Sequence, residues 1–200
     1  VLSEAKKFPK TSGKISEIPL LLKNGKFIDK RKGIDQAHEV IGFHMPTLTD
    51  KNKYAAEIFD SLLGGGMSSI LFQEIREKRG LCYAIKTHLE QSKDFSYEMI
   101  YAGTTKDKIE EIRKIVLKEI NNLKELKLSD LNEAKERLIG LRNISKEKCD
   151  STMVELLQEE LGGNAGNYYK YEDGINKVKL FQIKELSKLK GYSFAALVPE

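Results

Sequence analysis

The chain has 200 residues, 40% hydrophobic and 32% charged, with a formal net charge of +4, which suits a core in one domain or two small ones. No apolar run approaches the roughly 20 residues of a membrane-spanning helix, and no basic head precedes a short apolar stretch with a cleavage site, so neither a span nor a secretory leader is read. The start at Val1 rather than a methionine points to a fragment or a processed start. Cys82 and Cys149 form no CxxC pair and allow at most one disulfide; they read as reduced thiols, which favours a cytoplasmic setting.

Residues 1–33 carry nine basic and three acidic side chains, leaving the rest of the chain at −2. A nucleic-acid reader places its positive charge on the folded body. Here the excess sits on a stretch punctuated by "FPKTSGK" and "LKNGKF", where Asn24-Gly25 is a tight-turn signal. Residues 1–33 therefore read as a basic linker and the tail of a preceding domain, residues 34–200 as an α+β domain, and no nucleic acid is expected as partner.

"QAHEVIGFHM" (36–45) alternates, with Ala37, Glu39, Ile41 and Phe43 on one side, and reads as a strand. Thr49 and Asp50 can cap a helix whose stripe is Tyr54, Ala55, Ile58, Phe59, Leu62 and Leu63. Gly64, Gly65 and Gly66 stop it. Ser68 or Ser69 then starts a second helix through Leu71, Phe72 and Ile75, which Gly80 ends behind Lys78 and Arg79. "LCYAIKTHL" (81–89) and "FSYEMIYAG" (95–103) are spaced as an antiparallel hairpin.

Ile109, Ile112, Val116, Ile120 and Leu123 recur at helical spacing, as do Leu131, Ala134, Leu138 and Leu141 behind a start at Ser129. A helix over 149–161, a short helical stretch near 172–189 and a final strand 193–198 complete the order. It suggests an α+β layer, helices on one face of a largely antiparallel sheet.

The three histidines, His38, His44 and His88, make no H-E-x-x-H or H-x-x-E-H motif. His38 and His44 would stand about 20 Å apart along a strand, too far to share a metal. "GGGMSS" lacks the lysine of a P-loop and does not fit the G-x-G-x-x-G turn. Ser68 and Ser69 lack the G-x-S-x-G elbow. The tyrosines of "NYYKYEDG" (167–174) read as a partly buried aromatic patch rather than a base-stacking surface.

"LLGGGMSSILFQEIREKRGLCYAI" (62–85) resembles the hallmark stretch in the C-terminal half of the M16 zinc peptidases, the pitrilysin/insulinase and mitochondrial processing peptidase-like family. "QAHEVIGFHMPT", "MIYAGTTKDKIEEIRKIVLKEI" and "LKLSDLNEAKERLIGLRNIS" are similar to its flanking segments, so the resemblance runs from about 34 to 198. Ile70 stands where many members have arginine, and Cys82 where they have alanine.

The resemblance implies a LuxS/MPP-like half of a two-half clamshell that hydrolyses peptides. Its zinc is held by an N-terminal half, in the same chain or another subunit, and this segment supplies no ligands and no activity alone. It implies that Arg76 and Tyr83 bind the peptide, with Tyr83 also stabilising the oxyanion, and that Gly64, Gly65, Gly66 and Gly80 form structural turns. A non-catalytic partner subunit that binds peptide or scaffolds an assembly is the alternative it leaves open.

Overall fold

The computed structural model describes residues 2–7 and 23–200. "FPKTSGK" lies outside them. A helical turn, α1 (Leu2–Ala5), is followed by β1 (Lys26–Arg31), β2 (Ala37–His44) and α2 (Lys53–Gly64). After a π-helical segment, Phe72–Glu77, come the hairpin β3 (Ala84–Gln91) and β4 (Ser96–Thr104) and the long helices α3 (Ile109–Asn122) and α4 (Leu128–Ser145). Then follow α5 (Cys149–Leu161), α6 (Tyr171–Lys177), α7 (Leu180–Leu186) and β5 (Ser193–Pro199).

The strands form one sheet in the order β1-β5-β2-β4-β3, antiparallel throughout except for β1 beside β5. The two-residue period of β2 puts Ala37, Glu39, Ile41 and Phe43 on a buried face and leaves His38, Val40 and Gly42 half-buried on the other. Register carries that inner face across the sheet: Ile41 stands opposite Ile100 and Phe194, and Glu39 opposite Ala102 and Ala196.

Against this face α2 lays Ala55, Ala56, Ile58, Phe59, Leu62 and Leu63, and α3 lays Ile109, Ile112, Val116 and Ile120. Phe59 meets Phe43 edge to face, ring centroids 6.1 Å apart. Each of the larger side chains, the alanines aside, contributes about 1.5–3 kcal/mol when fully buried, so the helical stripes read from the sequence are what fasten the helix layer to one face.

Three local features differ from the sequence reading. Lys26–Arg31, inside the stretch read as linker, is a strand paired in parallel with β5 from Lys26↔Phe194 to Arg31↔Pro199. All six of its residues are exposed, so no burial pattern marks it. The helix after the glycines is not α-helical over Phe72–Glu77: Lys78 N–H donates to Gln73 O, five residues back, the π register. Helix starts also shift by a residue or three. Asp50 accepts the Asn52 N–H on its side chain while Asn52 holds the cap position of α2, and α4 starts behind Lys127, whose N–H donates to Asp130, not at Ser129.

Candidate functional site

The segment from Gly64 to Tyr83 is built as a turn, a wide helical coil and a second turn. A Cβ at Gly64 would overlap the Thr87 side chain of β3, so only glycine lets the end of α2 lie this close to the sheet. Gly65 closes α2 by donating to Ser61 O at 3.1 Å. Gly66 adopts φ +112°, where side chains are strained, and its carbonyl accepts the Ser69 N–H. From α4, Arg137 grips both ends of this turn, with its guanidinium on Ser61 O and Oγ and, at 3.1 Å, on Ser68 Oγ. Gln73 Nε2 donates to Met67 O at 2.7 Å. The turn is held from three sides.

The chain then coils through the π-helical stretch, pinned by the buried Leu71 and Ile75. Gly80, at φ +58°, ends it: Gly80 N–H donates to Arg76 O and Leu81 N–H to Ile75 O, both at 3.0 Å. Leu81 and Cys82 tuck inward, Thr104 Oγ1 donates to Leu81 O at 2.5 Å, and Tyr83 N–H reaches Gly103 O at 2.8 Å. Tyr83 thus precedes β3 by one residue instead of lying within the strand, yet is pinned to β4 by its backbone.

This scaffold leaves two side chains outside. Three cations occupy its helical end. Lys78 and Arg79 both fold back onto Glu74, whose carboxyl is held below the usual range chiefly by the Arg79 hydrogen bond and then by Lys78. Arg76, among the described residues, makes no ion pair and rests its guanidinium 4.9 Å from the Phe72 ring centroid. Tyr83 is 60% exposed, and its hydroxyl bonds to no described residue. Between them the Cys82 thiol is pushed up by burial, against the pull of the Arg76 charge. A guanidinium fork and a phenol hydroxyl on a rigid, buried footing are donors suited to carbonyl oxygens.

Among the described residues no group of three or more His, Cys, Asp or Glu side chains could hold a metal ion. His38 and His44 sit on β2 and His88 on β3 without converging, so the described residues do not fit zinc. No helix among the described residues is long and apolar enough to cross a membrane. The tyrosine patch forms as expected, with Tyr168 and Tyr171 buried and Tyr169 exposed.

A polar cluster in the interior has no motif in the sequence. A cleft of about 320 Å³ between α2, α4, α5 and β3 is lined by Glu57, Asp60, Arg142, Glu155, Glu159 and Tyr171, among others. Tyr171 Oη donates to Glu57 at 2.7 Å, a part-buried bond, and Lys53 pairs with Glu159 at 2.7 Å, nearly buried. Burial pushes Glu57 up to about 7, even though the Tyr171 hydrogen bond and Arg142 pull it down. Glu57 and Asp60 three residues apart on a helix face was the available signal, overlooked because both interrupt an otherwise apolar stripe.

The family profile described as the peptidase M16 inactive domain matches residues 2–138. An uncharacterized zinc protease of Mycobacterium leprae is 26% identical over 198 residues, covering 95% of this chain and 43% of that protein. One from Streptomyces coelicolor is 36% identical over 89 residues, 44% of this chain and 19% of that protein. Among solved structures, a protease from Helicobacter pylori superposes with a TM-score of 0.81 at 18% identity, covering 89% of this chain and 45% of that one. The peptidase M16 inactive domain from Pseudomonas fluorescens gives 0.75 at 21%, covering 89% and 44%. The chain spans less than half the length of each of these.

Proposed function

Because this chain belongs to the peptidase M16 inactive-domain family, we propose that it closes over peptide substrates opposite a zinc-bearing half, in the same chain or another subunit, and takes part in their hydrolysis. The observation that carries this reading is the exposed Arg76 and Tyr83, without ionic or hydrogen-bond partners among the described residues, on a turn-coil-turn scaffold whose other cations are already neutralised. The zinc of the relatives' name would be held by the other half, since the described residues here offer no ligand set.

Arg76 offers its fork to the carbonyl oxygens of an extended peptide. Tyr83 offers its hydroxyl to the oxygen of the scissile carbonyl as negative charge builds there, where a donor in a water-poor chamber is worth most. The chain's part is to bind, orient and stabilise.

The test is steady-state peptide hydrolysis by the complete two-half protein. Tyr83→Phe is expected to lower kcat on the order of a hundredfold with KM little changed, and Arg76→Ala to raise KM. An unchanged kcat would reduce Tyr83 to a structural residue. The 200 residues purified alone should hydrolyse no peptide, and zinc-dependent activity from them would overturn the division of labour.

A further inference from the structure

The open face of the sheet carries a polar pair that Arg76 and Tyr83 leave unused. His38 of β2 and Tyr101 of β4 are diagonal neighbours there. His38 Nδ1 lies 2.8 Å from Tyr101 Oη, and the rings stack with centroids 6.0 Å apart and planes within 19°. Both side chains are half-buried, while their strand neighbours Ala37 and Glu39, Ile100 and Ala102 point into the core.

The pair keeps a spare donor in either arrangement of its hydrogen bond. If Tyr101 donates its O–H to Nδ1, the ring proton sits on Nε2. If Nδ1–H donates to Tyr101, the hydroxyl hydrogen is free. Among the described residues no other hydrogen bond engages either side chain.

Its position ties it to the proposed site. Gly103 stands opposite His38 on one side and Ala84 on the other, and its carbonyl accepts the Tyr83 N–H at 2.8 Å. The backbones of Tyr83 and His38 are therefore two strands apart, about 10 Å, or roughly three residues of extended peptide. Gly103 also makes room for the pair, since a Cβ there would come 3.0 Å from Tyr101 Oη and 3.9 Å from His38 Nδ1. Lys86 stands opposite Tyr101 on β3 and adds a cation. The carboxylates sharing this face, Glu90 and Asp29, stand at the far end of β3 and two strands beyond His38. The neighbourhood offers donors and few acceptors.

We propose that the His38–Tyr101 pair is a second peptide-binding point, giving its spare donor to a backbone carbonyl about three residues from the one held at Arg76 and Tyr83. This rests on the reading of that site as peptide-binding. The binding is uniform between ground and transition state, because the carbonyl it holds is not the one that reacts.

The complete two-half protein, with His38→Phe, Tyr101→Phe, the double variant and Gly103→Ala, tests this by peptide hydrolysis beside thermal unfolding. Phenylalanine keeps each ring and removes its hydrogen bonding. Each single variant should raise KM about three- to tenfold with kcat nearly unchanged, because the remaining donor loses the partner that aims it, an effect on the scale of one neutral hydrogen bond. The double variant should be no worse than the worse single, because the two groups act as a unit. Gly103→Ala, which crowds the hydroxyl while keeping both residues, should raise KM too. Unmoved KM in the folded variants, effects that simply add, or a fall in kcat instead would overturn the proposal. Tyr83→Phe run in parallel separates the two claims. A normal kcat there with raised KM in the pair variants removes the role of Tyr83 and keeps the pair. A lowered kcat there with unmoved KM in the pair variants does the reverse.

Discussion

Between the helices and the sheet, Lys53, Glu57, Arg142, Glu155 and Glu159 are nearly out of water and tied to one another or to Tyr171. At the end of the sheet, Arg76 and Tyr83 stand in water with no hydrogen-bonding or ionic side-chain partner among the described residues, Arg76 resting only on the Phe72 ring. Both regions are polar, but the first engages its groups in internal pairs and the second leaves them exposed. Titration shifts would therefore point away from the proposed site. The carboxyls burial perturbs most, Glu98 pushed up to about 10, Glu39 to about 8 and Glu57 to about 7, all belong to the helix–sheet interior. A perturbed carboxyl marks a functional site only where substrate can reach it, and Glu98 and Glu39 lie within the core face at 0% and 1% exposure.

The sharpest way to break the contrast is Lys53→Met. It removes the cation of a pair whose side chains are 11% and 9% exposed, stranding Glu159 near Glu57. A loss of about 3–5 kcal/mol in denaturant unfolding is expected, and a near-neutral result would show that water reaches the cluster freely.

Glu98 gives a pH-dependent version. Its folded pKa is raised, first by burial and then by the Asp60 carboxylate beside it, so the folded state holds its proton where the unfolded chain has released it. Stability is then fullest below the unfolded value near 4.5 and declines as pH rises toward the folded value of about 10, by about 1.4 kcal/mol per pH unit for one such group. Glu98→Gln should flatten the fall between about pH 6 and 9, and parallel slopes for the two proteins would refute the assignment.

The smallest expected effect sharpens the other side. Arg76→Ala should change stability by no more than about 0.5 kcal/mol, as at a surface position with no structural partner. A larger loss in thermal unfolding would mean that its contact with the Phe72 ring holds the coil together.

The helices and hairpin were legible because their apolar residues repeat at the spacing of the element. Cys149–Leu161 appeared with the same bounds, and Leu62, Leu63 and Ile75 fell inside as their spacing demanded. The proposed site was legible only as a motif. "LGGGMSSILFQEIREKRGLCY" identifies a family stretch and names Arg76 and Tyr83, but not what surrounds them. The pairing of Lys78 with Glu74 could be guessed from i,i+4 spacing, whereas the pairing of Arg79 with Glu74, five residues apart, and the π register that sets the direction of Arg76 could not.

Local chemistry in the sequence thus determined where elements begin and end to within a few residues, which face of each is apolar, and which two side chains the family motif offers. Tertiary structure alone decided the rest. Lys26–Arg31 becomes a strand only because β5, about 170 residues later, offers it a free edge, and backbone pairing needs no side-chain pattern. His38 and Tyr101 meet only because β2 and β4 adopt one register, and Glu98 is buried only because Phe43 stands opposite it under α2. Periodicity is a property of neighbours along the chain, while register, burial of charge and the meeting of distant donors depend on how the elements close on one another.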